Sequence, residues 1–135
     1  MADTVTTQVL SNTGLRYEIL LTCVSDGTGE TNVPKINVLD IHYPHDTTRH
    51  PIALGLEEVQ ASNIGFTALK LLFDRAPAPK TFLVVGDGYT DLCFSPRLVD
   101  PDKGQVLSTG NILLSTTGAS SGDIYSIKLR FKCYY

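Results

Sequence analysis

The segment Tyr125-Ser126-Ile127-Lys128-Leu129-Arg130-Phe131-Lys132-Cys133 decides the fold. Its odd-numbered side chains are apolar, and all its even-numbered ones are polar. A repeat of two is the signature of a strand with one buried face and one wet face. Leu15 to Val24 alternates in the same way, but its second face is mixed (Arg16, Glu18, Leu20, Thr22, Val24), which suits a more central strand. Thr4–Leu10, Lys35–His42, Thr81–Val85, Tyr89–Phe94 and Asn111–Thr117 are further strand candidates. Two segments are ambiguous. Leu54–Ser62 reads as a short helix. Phe66–Asp74 fits either period, and its β-rich surroundings favour a strand.

Turn formers punctuate these runs at Asn12-Thr13-Gly14, Ser25 to Gly29, Tyr43 to Asp46, Ala76 to Pro79, Gly86-Asp87-Gly88, Ser95-Pro96, Asp100 to Gly104 and Ser120 to Asp123. Eight or nine short strands so spaced predict an all-β protein: a two-sheet β-sandwich, jelly-roll-like, with at most one short helix. The 135 residues make one domain, residues 1–135, with no internal repeat or linker. Residues 1–8 are polar and β-branched, and read either as an extended N-terminal arm or as an ordinary first strand.

Composition excludes several classes. Hydrophobic residues make up 42% and charged residues 19%, too apolar a balance for a disordered chain. The net charge of −3 and the lack of a dense basic patch argue against nucleic acid. No apolar run is long enough to span a bilayer as a helix, so no membrane partner is expected. The opening residues Met1-Ala2-Asp3-Thr4 lack a signal peptide's cationic start and apolar stretch. Cys23, Cys93 and Cys133 form no C-x-x-C pair. Cys23 and Cys133 continue apolar strand faces and are expected as buried thiols, which suits synthesis in a reducing cytoplasm.

No motif supplies a catalytic constellation. Gly118-Ala119-Ser120-Ser121-Gly122 matches G-x-S-x-G, but a strand follows it and no histidine comes after His50. It reads as a polar hairpin turn. Asp26-Gly27-Thr28-Gly29-Glu30 lacks the Lys-Ser/Thr ending of a phosphate loop. Gly86-Asp87-Gly88 reads as a hairpin corner. Glu57 and Glu58 are adjacent, so their carboxylates are expected on different faces, unable to flank one bond. His42, His45 and His50, with Asp40 and Asp46, are the densest group of metal-ligand types. Flanked by Pro44 and Pro51, they read as a solvated loop before a metal site. The aromatics fall on apolar strand faces and read as core, and no sugar-binding platform stands out. No catalytic residue, no cofactor and no enzymatic activity are expected.

Both ends of the chain resemble a known family. Ala2 to Thr6, Ser11-Asn12-Thr13-Gly14 and Val24 to Glu30 look like the opening of small virion proteins of tailed bacteriophages. Gly110 to Gly118, Ser121 to Ile127 and Leu71-Leu72-Phe73-Asp74 are similar too. The His42–Pro51 loop and the Ala76–Lys80 stretch depart from that pattern. The resemblance implies a virion structural protein, made in the host bacterial cytoplasm, that decorates and cements a capsid. Its partners would be the major capsid protein and itself, as a homodimer or homotrimer. Polarity and placement mark Thr4, Val5, Thr6, His45, Arg49, His50, Tyr134 and Tyr135 as interface candidates. A tail, neck or fibre component is the alternative, and a carbohydrate-binding β-sandwich module is the second alternative.

Overall fold

A computed structural model describes residues 3–75, 78–101 and 108–135. Parts of two turn segments, residues 76–77 and 102–104, lie outside these, as do Met1 and Ala2. Among the described residues nine strands form: β1 (Thr4–Asn12), β2 (Arg16–Asp26), β3 (Val33–Ile36), β4 (Ala53–Ile64), β5 (Ala68–Arg75), β6 (Lys80–Val85), β7 (Gly88–Leu98), β8 (Ser108–Thr117) and β9 (Ser121–Tyr134). They build two sheets, one in the order β1-β2-β9-β4-β7 and one in the order β3-β8-β5-β6. Every pairing is antiparallel. The nested pairs β2·β9, β3·β8, β4·β7 and β5·β6 alternate between the sheets, which is the wrapping of a jelly roll. β1 is an added edge beside β2. Residues 4–8 therefore belong to the outermost strand of the chain's own sheet.

The core lies where the alternation placed it. Tyr125, Ile127, Leu129, Phe131 and Cys133 of β9 are buried, together with Tyr17, Ile19, Leu21 and Cys23 of β2. Leu69, Leu71, Phe73, Ile112 and Leu114 meet them from the second sheet.

Three local expectations are corrected. Leu54–Ser62 is not helical but the middle of β4, between β9 and β7. The register shifts between Leu56 and Glu58. That bulge sets the inward Leu56 and Val59 three positions apart, which gave the segment its helical spacing. Lys35–His42 is a strand only to Ile36. Asn37 then accepts a hydrogen bond from Leu39 N and starts the 3-10 turn Val38–Asp40, the one helical element among the described residues. The glycine-rich corners at residues 86–88 and 118–122 are not hairpins. Each carries the chain from the four-stranded sheet to the five-stranded one. The G-x-S-x-G match is thus an arch between sheets. The true hairpins are β1–β2 and β5–β6. At the first, Gly14 has φ +84 and lies against the His42 carbonyl; a Cβ there would come within 2.4 Å of that oxygen.

A charged group closes one end of the sandwich. Glu30, in the β2–β3 connection, accepts a hydrogen bond from Tyr125 Oη at 2.5 Å and pairs with Lys35 Nζ at 2.6 Å. The Glu30 and Lys35 side chains are only 6% and 4% exposed. Lys35 is the extra residue of a register shift in β3, between Pro34 and Ile36. The bulge frees it from strict alternation and lets it reach Glu30.

Burial pushes the Cys23 thiol up to about 12, helped by the Glu30 and Asp3 carboxylates, and the Cys133 thiol up to about 11. Burial raises the Tyr125 phenol as well, with Glu30 adding to it. Unfolded chains release these protons first, from about pH 9 for the thiols. Their contribution to stability is therefore whole below that pH and is lost as pH rises through the folded values. Urea unfolding at stepped pH should show stability falling over pH 9 to 12. Ellman's reagent at pH 8 should titrate the exposed Cys93 in the native protein, and all three thiols only in denaturant. Lys35→Ala leaves the Glu30 charge unanswered and should cost about 3–5 kcal/mol in the same unfolding measurement.

Candidate functional site

The outward face of the five-stranded sheet carries the densest set of exposed, chemically varied side chains among the described residues. Register fixes who stands beside whom. Thr6, Thr22, Ser126, Ser62 and Tyr89 form one row across all five strands. Gln8, Leu20, Lys128, Gln60 and Asp91 form the next. Glu18, Arg130, Glu58 and Cys93 follow. Two adjoining depressions, which share Gln60 and Lys128, make a shallow groove over these rows. Leu20, Gln60, Ser62, Tyr89, Ser126 and Lys128 line one part; Glu18, Glu58, Gln60, Lys128 and Arg130 line the adjoining part. From the Ser126 row to the Arg130 row is about 13 Å along β9.

Tyr89 dominates one end. The residue is 71% exposed, the most exposed of the large hydrophobic residues described. This corrects the expectation that the aromatics are core first. Tyr125 and Phe131 are core, but β7 is an edge strand and turns Tyr89 to solvent. Gln60 fixes its amide by donating from Nε2 to Glu58 Oε1 at 3.1 Å. The groove so offers an aromatic face, hydroxyls, an amide and charges of both signs.

The far end is held by Glu57. It lies within the β4 bulge, and its carboxylate meets Arg16 Nε of β2 and Arg97 Nε of β7, each at 2.8 Å. Arg130 of β9 touches both glutamates, Glu57 at 3.9 Å and Glu58 at 3.2 Å. The adjacent carboxylates therefore share one face, contrary to the strict alternation expected of them. The bulge breaks that alternation. Beyond them, Tyr134 lies over Gly55, where an added Cβ would come within 2.7 Å of the ring, and Lys132 sits over the same ring at 5.5 Å.

The histidine loop is organised by its own backbone. His42 Nδ1 meets the Tyr43 carbonyl at 3.0 Å, and His50 Nδ1 meets the Ile41 carbonyl at 2.7 Å. His45 is exposed with φ +65. Among the described residues these three do not converge on a point where an ion could sit. Arg49 instead stacks on Tyr43 at 4.6 Å and on Tyr135 at 5.5 Å, and the two rings meet edge to face at 5.1 Å. Tyr135 Oη donates to the Gly14 carbonyl at 2.6 Å. Of the interface candidates, Arg49 and Tyr135 thus pack against this loop, Tyr134 covers β4, and Thr4, Val5 and Thr6 lie exposed on β1.

One trio of potential metal ligands does come together, Asp3, Cys23 and Glu30, with ligand atoms within 4.8 Å of one another. Sequence spacing does not reveal it, because β1 and β2 bring its members together. Each is already engaged. Asp3 Oδ1 accepts from Ser25 Oγ, Asp26 N, Thr28 Oγ1 and Gly29 N at 3.0 to 3.3 Å. Burial raises the Asp3 carboxyl, and these hydrogen bonds outweigh it and hold the group below its ordinary value. Glu30 is paired with Lys35, and the Cys23 thiol stays protonated. The trio is a plug for the β2–β3 connection.

No protein-family model and no curated protein matches the chain. Among solved structures, it is similar to a single-site mutant of a family 29 carbohydrate-binding module, studied for the mechanism of ligand recognition. The alignment covers 96% of this chain and 91% of that one, at 12% identity and a TM-score of 0.38.

Glu57 ties four strands, but its arginines are 31–43% exposed and screened by solvent. Glu57→Gln should lower the unfolding free energy by about 1–2 kcal/mol in urea titrations. The loss should shrink in about 1 M salt, where the Debye length is about 3 Å.

Proposed function

We propose that this β-sandwich is a carbohydrate-binding module whose groove on the five-stranded sheet takes a glycan chain without turning it over. The observation that carries this reading is Tyr89, a solvent-facing ring at the head of a groove floored by Ser62, Ser126, Gln60 and Lys128. A pyranose has an apolar C–H face and a rim of hydroxyls. The first stacks on an aromatic ring, and the second needs donors and acceptors at fixed points. Gln60, Asp91, Glu58 and Arg130 supply both, on rigid strands in place of loops. The groove is open at its sides, which suits a stretch of polymer lying along the strands more than a buried terminal sugar.

A second reading, decoration of a tailed-phage capsid through its major capsid protein, draws on the resemblance of the two chain ends. Those matching residues include turns, at Thr13-Gly14 between β1 and β2, Gly27 to Glu30 between β2 and β3 and Gly118 between β8 and β9, together with segments of strands β1, β2, β5, β8 and β9. One surface feature favours it. Val24, Ile124 and Ile64 are adjacent across β2, β9 and β4, and all are exposed on the outward face. An apolar row beside Tyr89 suits a protein partner as well as a sugar.

A glycan array followed by calorimetry on any hit separates the two. The glycan reading expects binding that Tyr89→Ala and Gln60→Ala each weaken about tenfold, with the unfolding midpoint unchanged. An empty array, or binding indifferent to both substitutions, overturns it. Saturable binding to preformed capsids at symmetric copy number, with no glycan bound, would establish the second.

A further inference from the structure

We infer that β1 is a self-association edge, and that two copies pair their β1 strands antiparallel about a two-fold axis through Thr7. The two sheets present four edges: β1, β7, β3 and β6. Three carry the usual protections against pairing. β7 holds Asp91, Pro96 and Arg97; β3 has four residues, among them Pro34 and Lys35; β6 has six and begins at Lys80 after Pro79. β1 has none. Its nine residues, Thr-Val-Thr-Thr-Gln-Val-Leu-Ser-Asn, contain no proline and no charge. All are exposed except the half-buried Ser11.

Its inward side is also unfinished. Val5, Thr7 and Val9 stand opposite the buried Cys23, Leu21 and Ile19. Yet Val5 and Val9 are 41% and 50% exposed, because β1 overhangs the smaller sheet. The occupant that fits is a second copy of the same strand. Residues directly opposite in an antiparallel pair share a face. Several two-fold registers within the unbulged part of β1 satisfy this, and the one with its axis through Thr7 also brings the valines together. It sets Thr7 against the partner's Thr7, Val5 against the partner's Val9, and Thr6 against the partner's Gln8. Each half-exposed valine then gains an apolar neighbour, and no charge on either strand meets its like. The joined sheets run on as ten strands, with both outward faces on one side. Two grooves would then lie on one surface. That consequence rests on the glycan reading, but the dimer does not.

A nine-residue edge makes a small interface, so the dimer should dissociate in roughly the micromolar range. Sedimentation velocity over a micromolar to millimolar series should show the monomer giving way to a dimer and no higher species. Thr7→Lys sets two ammonium groups against each other on the axis and should weaken the dimer about tenfold or more, with its circular dichroism unchanged. A chain carrying Cys93→Ser and Thr7→Cys should cross-link to a dimer under mild oxidation. The chain carrying Cys93→Ser and Gln8→Cys should do so far less, since its thiols lie diagonal to each other. A wild-type chain that stays monomeric throughout the series overturns the inference. So does a dimer indifferent to Thr7→Lys, or equal cross-linking by both cysteines. Glycan binding by a chain that stays monomeric would leave the groove reading standing while this one fell.

Discussion

A carboxylate sealed between two sheets must be answered where it stands, and much of one end of this molecule follows from that need. The Glu30 side chain is nearly shut off from water, and Lys35 and Tyr125 supply the opposite charge and the hydrogen bond. Lys35 reaches it because β3 bulges there. Tyr125 reaches it because β9 aims every second side chain inward. One group so links the β2–β3 connection, the four-stranded sheet and the five-stranded sheet. Ion pairs of this kind contribute little net stability over an apolar replacement, since desolvation offsets most of the attraction. Their role here is geometric, since the ion pair and the Tyr125 hydrogen bond tie three elements to one point.

The second carboxylate of note, Glu57, works at the surface and does a different job. It draws Arg16, Arg97 and Arg130 toward one point, so side chains from three strands are oriented by a common partner on a fourth. Glu58 and Gln60 extend that order toward Tyr89. The groove is therefore held in shape by ionic contacts at one end and left open at the other. A ligand meeting such a face loses less free energy to ordering side chains than it would on a surface of loose lysines.

Much of the fold was legible from one side of one strand. The unbroken alternation of Tyr125 to Cys133 required a half-buried strand, and evenly spaced turn residues around similar runs required many such strands in two layers. What the sequence hid were the places where period two fails. The shift at Glu57 turned β4 into a helical pattern on paper and hid that both glutamates face one way. Asn37 stopped β3 early through a single side-chain hydrogen bond. Which strands join across a corner depends on distant pairing, so two inter-sheet arches looked like hairpins. The candidate groove was illegible for the same reason. Tyr89, Gln60 and Lys128 lie on three strands far apart in the chain, and only register makes them neighbours. Tyr89 also sits in a run that reads as apolar, and only its place on an edge strand shows it to be wet.

The irregularity at Glu57 has one more effect. A β-ladder can slide by two residues and keep its inside and outside intact, so apolar patterning alone tolerates several alignments. An inserted residue removes that freedom. Slipped by two, β4 would carry its kink away from the arginines that receive it, and β9 and β7 would each face a mismatch. The bulge thus acts as an index pin, admitting one setting of three strands and guarding the alignment on which every cross-strand neighbour on that face depends.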